Sequence, residues 1–191
     1  MRRLVVGISG ASGAIYGIRL LQALAATPGV ETHLVLSRPA EITVAVETDF
    51  TPAQVRALAH AVYEPEDLAA PIASGSFPVQ AMLVAPCSAG TLARVATSAG
   101  DNLLTRAADV TLKERRPLIL LFRETPLTLA HIRNMEAVTL MGGIVMPPLP
   151  AFYSRPQTVA DLVDGAVGRA LDLLGIDHRL GARWQGRAER P

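Results

Sequence analysis

A short segment near the N-terminus, Ser9–Gly13, is rich in small and hydroxyl-bearing residues that suit anion binding. It separates an apolar run, Leu4–Ile8, from a helical apolar pattern over 15–24. A strand that turns directly into a helix directs backbone N–H groups and the positive end of the helix dipole at one point, which favours a phosphate. Gly10 and Gly13 let the backbone approach a ligand, and Ser12 could cap the helix or contact the ligand.

The type of anion is left open by this segment. Gly10-x-x-Gly13 lacks the first part of the G-x-G-x-x-G fingerprint of dinucleotide sites. No Gly-Lys-Ser/Thr follows it, which excludes a P-loop. A tight turn without any ligand is the alternative interpretation.

Polar residues also follow other short apolar runs. Ser37 follows one run, Cys87–Thr91 a second, and Arg123 and Glu124 a third, while a proline-rich loop leads to Tyr153. Apolar runs that alternate with helical patterns indicate an α/β fold with one doubly wound parallel sheet, Rossmann-like (flavodoxin-like), and helices on both faces. Ligands of such sheets bind beyond the carboxyl ends of the strands. These turns are therefore expected to face one phosphate-bearing ligand.

Apolar periodicity assigns the elements that position these turns. The predicted strands are Leu4–Ile8, Glu31–Leu36, Ala81–Ala85, Leu118–Phe122 and Ile144–Met146. The predicted helices are 15–24, Glu41–Glu47, Ala53–Val62, Thr91–Ala96, Leu103–Arg115, Leu129–Leu140 and a last helix from a Thr158 cap to Leu174. The longest connection, Glu64–Pro78, is proline-rich, and long connections are often functional.

Length and charge narrow the class of protein. The 191 residues are expected to form one domain, 1–191, in which 175–191 is a polar tail. A net charge of +1 with scattered charges gives no sign of a nucleic-acid partner. No apolar run approaches the ~20 residues that cross a bilayer, and the N-terminus enters a strand without a signal peptide, so no membrane partner is expected. The single cysteine, Cys87, fits a reducing compartment, and a cytoplasmic location is predicted.

The balance of apolar and charged residues predicts self-association. The chain is 50% hydrophobic and 18% charged, against about 25% charged residues in typical soluble domains. A monomer of this size would expose much apolar surface, so a homo-oligomer is predicted.

Neither a metal site nor a cysteine nucleophile is indicated. The histidines are dispersed without the spacing of metal ligands, and no Asp-Asp-x-x-Asp cluster is present to hold Mg²⁺ with a diphosphate. Cys87 ends an apolar run and is expected to be a buried, small residue. No metal is therefore expected.

Motifs in one consistent order extend over the chain to about Leu174. They are Ser9–Ala14 with Tyr16 and Gly17, Glu47–Asp49, Pro86–Leu92, Asn102 with Leu103, Arg106–Val110, Leu112–Leu118, Arg123–Leu127, Met146–Pro148, Ala151–Tyr153 and Arg155–Gln157. Taken together, they resemble the motifs of the flavin prenyltransferases of the UbiX type.

The resemblance implies a function and partners. Members of this family bind FMN, usually at the interfaces of a dodecamer. They are metal-independent transferases that join a dimethylallyl group from dimethylallyl monophosphate to N5 and C6 of reduced FMN. The product, prenylated FMN, is the cofactor of UbiD-type decarboxylases, which would receive it from this chain.

The resemblance also implies roles by position. The expected FMN contacts are Gly10, Ala11, Ser12, Gly13, Ser37, Ser88, Ala89, Gly90, Thr91 and Arg123. The expected contacts of the prenyl donor are Glu47, Arg106, Lys113, Glu124, Tyr153 and Arg169. Lys113, Arg123 and Arg169 would stabilise charge on the leaving phosphate, and Tyr153 would donate one more hydrogen bond. Glu124 or the leaving phosphate would accept the C6 proton with assistance from Ser12, so the catalytic residues would be Ser12, Glu124 and Lys113.

Simpler structural roles are the alternatives for three of these charges. Lys113 lies in a run of charges that is typical of a solvated helix end. Arg169 shares an apolar stripe with Leu162 and Ala166, which suits an arginine at the edge of the core. Arg123 and Glu124 are alternatively a local ion pair.

Two other functions compete with prenyl transfer. An FMN-dependent cysteine decarboxylase of similar fold relies on a histidine near the second helix and on a Pro-x-Met-Asn segment. The corresponding stretches here, Glu41–Glu47 and Met146–Pro150, contain neither histidine nor asparagine. A non-catalytic flavin-binding protein would not need the residues expected to contact the prenyl donor, namely Lys113, Glu124, Tyr153 and Arg169.

Overall fold

The computed structural model describes residues 1–181, 183, 184 and 186. This part contains a sheet of six strands: β1 (Arg2–Ile8), β2 (Val30–Leu36), β3 (Ala61–Tyr63), β4 (Ala81–Cys87), β5 (Leu118–Phe122) and β6 (Ile144–Val145). All neighbouring strands are parallel, in the order β3-β2-β1-β4-β5-β6. The order reverses between β1 and β4, and doubly wound sheets bind ligands in the crevice at this point.

Helices cover both faces of the sheet. In the described part of the chain they are α1 (Ala14–Ala25), α2 (Arg38–Glu47), α3 (Pro52–Arg56), α4 (Ala89–Ala96), α5 (Leu103–Lys113), α6 (Leu129–Leu140) and α7 (Val159–Leu173). Ile18 of α1 and Val167 of α7 belong to the core cluster on one face. Leu104 of α5 and Val138 of α6 belong to the cluster on the other. The predicted doubly wound α/β fold is confirmed.

The central strands are apolar along their whole length because helices cover both of their faces. Every residue of β4 and β5 is buried. Gly17 lets α1 cross these strands closely, since a Cβ there would lie 2.3 Å from the carbonyl oxygen of Ala85 and 2.7 Å from Cδ1 of Ile8. This close packing fixes the N-terminus of α1 above the crevice.

The predicted helix Ala53–Val62 is wrong over its C-terminal half. Helix α3 ends at Arg56, and Ala61–Tyr63 instead form the edge strand β3. The backbone N–H of His60 donates to the carbonyl of Thr32 at 3.1 Å, and β3 then pairs with β2. This pairing between distant parts of the chain outweighs the local helical pattern. The other predicted elements are present, with ends displaced by three residues or fewer.

The C-terminal region is described in part. Of the predicted tail 175–191, residues 182, 185 and 187–191 lie outside the described residues. The assignment of the whole chain to one domain stays a prediction. No helix within the described ranges has both the length and the apolar character that crossing a membrane requires.

Candidate active site

The turns that follow β1, β2, β4 and β5 lie side by side along one edge of the sheet. We call this edge the rim; it comprises Ser9–Gly13, Ser37, Cys87–Thr91, Arg123 and Glu124. The N–H of Ser37 donates to the carbonyl of Ile8, and the N–H of Arg123 donates to the carbonyl of Cys87, both at 3.0 Å. The predicted convergence of these turns is therefore observed.

Ser9 links the first and third turns of the rim. Its hydroxyl donates to the carbonyl of Pro86 at 2.9 Å and accepts the N–H of Ser88 at 2.8 Å. Ser9 is 2% exposed, so both bonds are buried. This role of Ser9 is not among those expected from the sequence, although a hydroxyl at the end of an apolar strand is the signal for such a link.

Two helices present their N-termini to the rim with serine caps. Ser37 Oγ accepts the N–H of Ala40 in α2, and Ser88 Oγ accepts the N–H of Thr91 in α4, both at 3.2 Å. The N–H groups of a helix's first turn lack partners within the helix. The amides of Ala89 and Gly90, in the first turn of α4, therefore suit a bound anion.

The N-terminus of α1 holds an anion from the chain itself. The Oε2 atom of Glu47 accepts the N–H of Gly13 at 2.7 Å and that of Ala14 at 3.3 Å. Gly13, with φ of 102°, is the N-cap, and the Ser12 hydroxyl hydrogen-bonds to Glu47 instead of capping the helix. The predicted anion-binding turn thus binds a carboxylate, a contact between distant segments that spacing in the sequence does not reveal.

Hydrogen bonds to the carboxylate of Glu47 favour its ionised form. Burial acts to raise the pKa of Glu47, but the hydrogen bonds from Gly13, Ser12 and Ala14, with Arg123 nearby, together lower the pKa below its usual value. Arg123 also faces Tyr16, where burial raises the pKa of the phenol and the arginine opposes that shift. Ser12, Glu47 and Arg123 therefore form one electrostatic group at the rim.

Glu124 and Cys87 occupy the end of the rim at β4 and β5. The carboxylate of Glu124 accepts the N–H of Thr125 at 3.0 Å. Cys87 is fully buried, and burial raises the pKa of its thiol, so the residue stays protonated. Its predicted packing role is confirmed.

Tyr153 and Arg169 line a second region, a cleft of about 960 Å³. Its walls are the loop from Met146 to Pro156, α7 and part of the C-terminal region. The rings of Tyr153 and Trp184 meet edge to face, with centroids 5.5 Å apart. Two of the predicted donor contacts thus share one cleft.

Lys113 and Arg106 lie elsewhere, on α5. Lys113 is the last residue of α5, which leads into β5, so it lies at the edge of the sheet where the strands begin. It pairs with Glu114, and a Cβ on Gly75 would lie 2.7 Å from its Nζ atom. Arg106 donates to the carbonyl of Ala73 at 3.2 Å. A single chain therefore does not bring Lys113 to the rim.

No group of three or more histidine, cysteine or acidic side chains is placed to hold a metal ion among the residues that the structure describes.

Comparison with known proteins identifies the family. Residues 1–171 match the family model described as Flavoprotein. The flavin prenyltransferase UbiX of Neisseria meningitidis serogroup B is 56% identical over 189 residues, which cover 99% of this chain and 100% of the relative. The chain belongs to the UbiX family of flavin prenyltransferases. The resemblance drawn from the motifs is confirmed.

Solved structures of UbiX proteins have the same fold. AnUbiX in complex with FMN and dimethylallyl pyrophosphate matches with a TM-score of 0.96 and 50% identity, over 98% of this chain and 99% of that one. A dodecameric FMN-dependent UbiX-like decarboxylase from Escherichia coli matches with a TM-score of 0.95 and 49% identity, over 96% and 100%. The FMN-dependent cysteine decarboxylase TvaF is 20% identical over 88% of this chain and 99% of that one, with a TM-score of 0.62, and shares the fold alone.

Proposed function

We propose that this UbiX-family protein joins the dimethylallyl group of dimethylallyl monophosphate to N5 and C6 of reduced FMN. The product, prenylated FMN, would pass to a UbiD-type decarboxylase. The observation that carries the proposal is full-length similarity, at about half of all positions, to flavin prenyltransferases, one of them solved with FMN and dimethylallyl pyrophosphate.

The rim fits FMN by the chemistry of its donors. Glu47 already occupies the N-terminus of α1, so the flavin phosphate is best placed at the first turn of α4, against Ala89 and Gly90. Arg123 adds a guanidinium whose fork matches phosphate or ring oxygens. Reduced FMN, when bound, supplies the nucleophilic nitrogen for the transfer.

The remaining residues act on the donor and on protons. Arg169 and Tyr153 share one cleft, where they would bind the donor phosphate and stabilise the charge that develops as it leaves. Glu124 follows β5 at the rim and would accept the C6 proton. Because Glu47 is held ionised, it would orient the Ser12 hydroxyl rather than supply a proton.

Lys113 would complete the site of a neighbouring subunit. It lies at the edge opposite the rim of its own chain, so it reaches a rim only through assembly. Apolar side chains that suit interfaces are exposed on α2 and α6, including Ile42 at 67% and Leu129 at 61%. We propose a homo-oligomer, and a dodecamer like that of the Escherichia coli UbiX-like protein.

Mass spectrometry of the flavin tests the function. Anaerobic incubation with reduced FMN and dimethylallyl monophosphate is expected to yield a flavin heavier by one C5H8 unit, and a parallel sample with the diphosphate tests donor choice. Unchanged flavin would contradict the proposal. Release of CO₂ from a peptide with a C-terminal cysteine would favour the decarboxylase alternative, and neither product would favour a flavin-binding protein.

A cytoplasmic location is proposed as well. Its support is that the chain has one cysteine, which is buried and forms no disulfide within the chain. Fractionation of cells that express the protein would test it, with recovery in the cytoplasmic fraction expected and recovery in a membrane or exported fraction contradicting it.

A further inference from the structure

A segment of the C-terminal region lies along α7, and we call it the strap: residues 176–181, 183 and 184. It contacts α7 where the helix has no side chain. A Cβ on Gly168 would lie 2.7 Å from the carbonyl oxygen of Leu180 and 2.8 Å from Cε1 of His178. Glycine at 168 therefore admits the strap to the helix surface.

His178 and Arg183 both make polar contacts between the strap and α7. The side chain of His178 is 6% exposed. Its Nδ1 atom accepts the N–H of Leu180 at 3.0 Å, so the ring proton is on Nε2, which donates to Asp172 of α7 at 3.1 Å. Arg183 donates to the same oxygen of Asp172 at 2.7 Å. One carboxylate of α7 thus binds two residues of the strap.

The strap forms one wall of the cleft that contains Tyr153 and Arg169. Arg179 and Arg183 of the strap line this cleft. Trp184 packs edge to face on Tyr153. When the strap is in place, the guanidinium groups of Arg179 and Arg183 therefore line the same cleft as Arg169, with Arg183 paired to Asp172.

We propose that His178 is a positioning residue that fastens the strap to α7 and thereby completes the cleft for the prenyl donor. The proposal rests on the donor-binding role proposed above for Tyr153 and Arg169. None of the rim residues belongs to the strap, so release of the strap should weaken binding of the donor and spare binding of FMN.

Two variants release the strap by different routes, and a third is the matched control. His178→Ala removes both hydrogen bonds of the ring, whereas Gly168→Ala keeps His178 and obstructs the contact. Gly165→Ala makes the same substitution three residues earlier in α7, where a Cβ would meet nothing within 4 Å. Each is prepared as the full chain with FMN bound.

Hydrogen exchange and steady-state kinetics give independent readouts. In His178→Ala and Gly168→Ala, the backbone amide of Leu180 is expected to lose its protection. The KM for dimethylallyl monophosphate should rise roughly tenfold, with kcat and FMN affinity unchanged. Gly165→Ala should match the parent protein in exchange.

Three results would overturn the inference: retained protection in both variants, rapid exchange without a change in KM, or equal effects of Gly165→Ala and Gly168→Ala. A parent protein that transfers no dimethylallyl group would contradict the proposed function itself, and with it the donor role of the strap. Unchanged protection in an active protein would contradict only the role of His178.

Discussion

The rim and the end of α5 lie at opposite edges of the sheet and hold their functional residues differently. The rim is fixed by hydrogen bonds between turns of one chain, such as Ser9 to Ser88 and Gly13 to Glu47. Lys113, at the end of α5, has a side chain that is 46% exposed and an ion pair only with the adjacent Glu114 among its described salt bridges. The difference teaches that one chain fixes the turns of the rim by its own hydrogen bonds, whereas Lys113 lies at the opposite edge and would reach a rim only in the proposed oligomer.

The largest expected effect is on turnover, and it comes from a substitution at the rim that should not change FMN binding. Glu124→Gln should lower turnover by about 10²–10⁴-fold, because it removes the proposed proton acceptor, and should leave FMN affinity unchanged. Turnover and an FMN titration check it, with Glu136→Gln on the exposed face of α6 as the control. Full turnover in Glu124→Gln would remove this residue from the mechanism.

Close packing of α1 on β4 should stabilise the fold that positions the rim. Gly17→Ala places a methyl group 2.3 Å from the carbonyl oxygen of Ala85, so the free energy of unfolding should fall by about 3 kcal/mol. Urea unfolding measures it. Gly165→Ala, with open space before it, should not lower the free energy of unfolding. An unchanged free energy of unfolding in Gly17→Ala would show that α1 does not need this close approach.

The link between turns should contribute less. Ser9→Ala leaves the buried N–H of Ser88 without its acceptor, and the free energy of unfolding should fall by about 1–2 kcal/mol. Thr139→Ala on the exposed part of α6 is the control, with a change within about 0.5 kcal/mol. If both substitutions had the same effect in urea unfolding, the rim would not depend on Ser9.

The smallest effect is the pH dependence of Glu47. Because the pKa of Glu47 is lowered in the folded protein, its contribution to stability is present above its ordinary pKa of 4.5 and is lost as the pH falls through the folded value. Glu47→Gln should therefore lose less stability than the parent protein between about pH 6 and pH 3. The free energy of unfolding of both proteins is measured across this pH range. The same loss of stability in the parent and the variant would contradict this role of Glu47.

The sequence predicted the rim well because each of its turns directly follows a local apolar run. Ser37, Ser88 and Arg123 needed only their own strands to be recognised. Contacts between distant segments could not be predicted, because local patterns do not show which segments meet. They are the contact of Glu47 with the N-terminus of α1, the pairing of β3 with β2, and the contact of His178 with α7. Lys113 was assigned from the resemblance. The topology shows that it lies at the edge of the sheet opposite the rim of its own chain.

Complementation tests the shared site most directly. Glu124→Gln alters the rim and Lys113→Ala alters the opposite edge, so each variant alone should be inactive. If Glu124 and Lys113 meet from different subunits, co-assembly in equal amounts should restore prenyl transfer at about a quarter of the sites. Mixed oligomers that remain as inactive as the two separate variants would contradict a site shared between subunits.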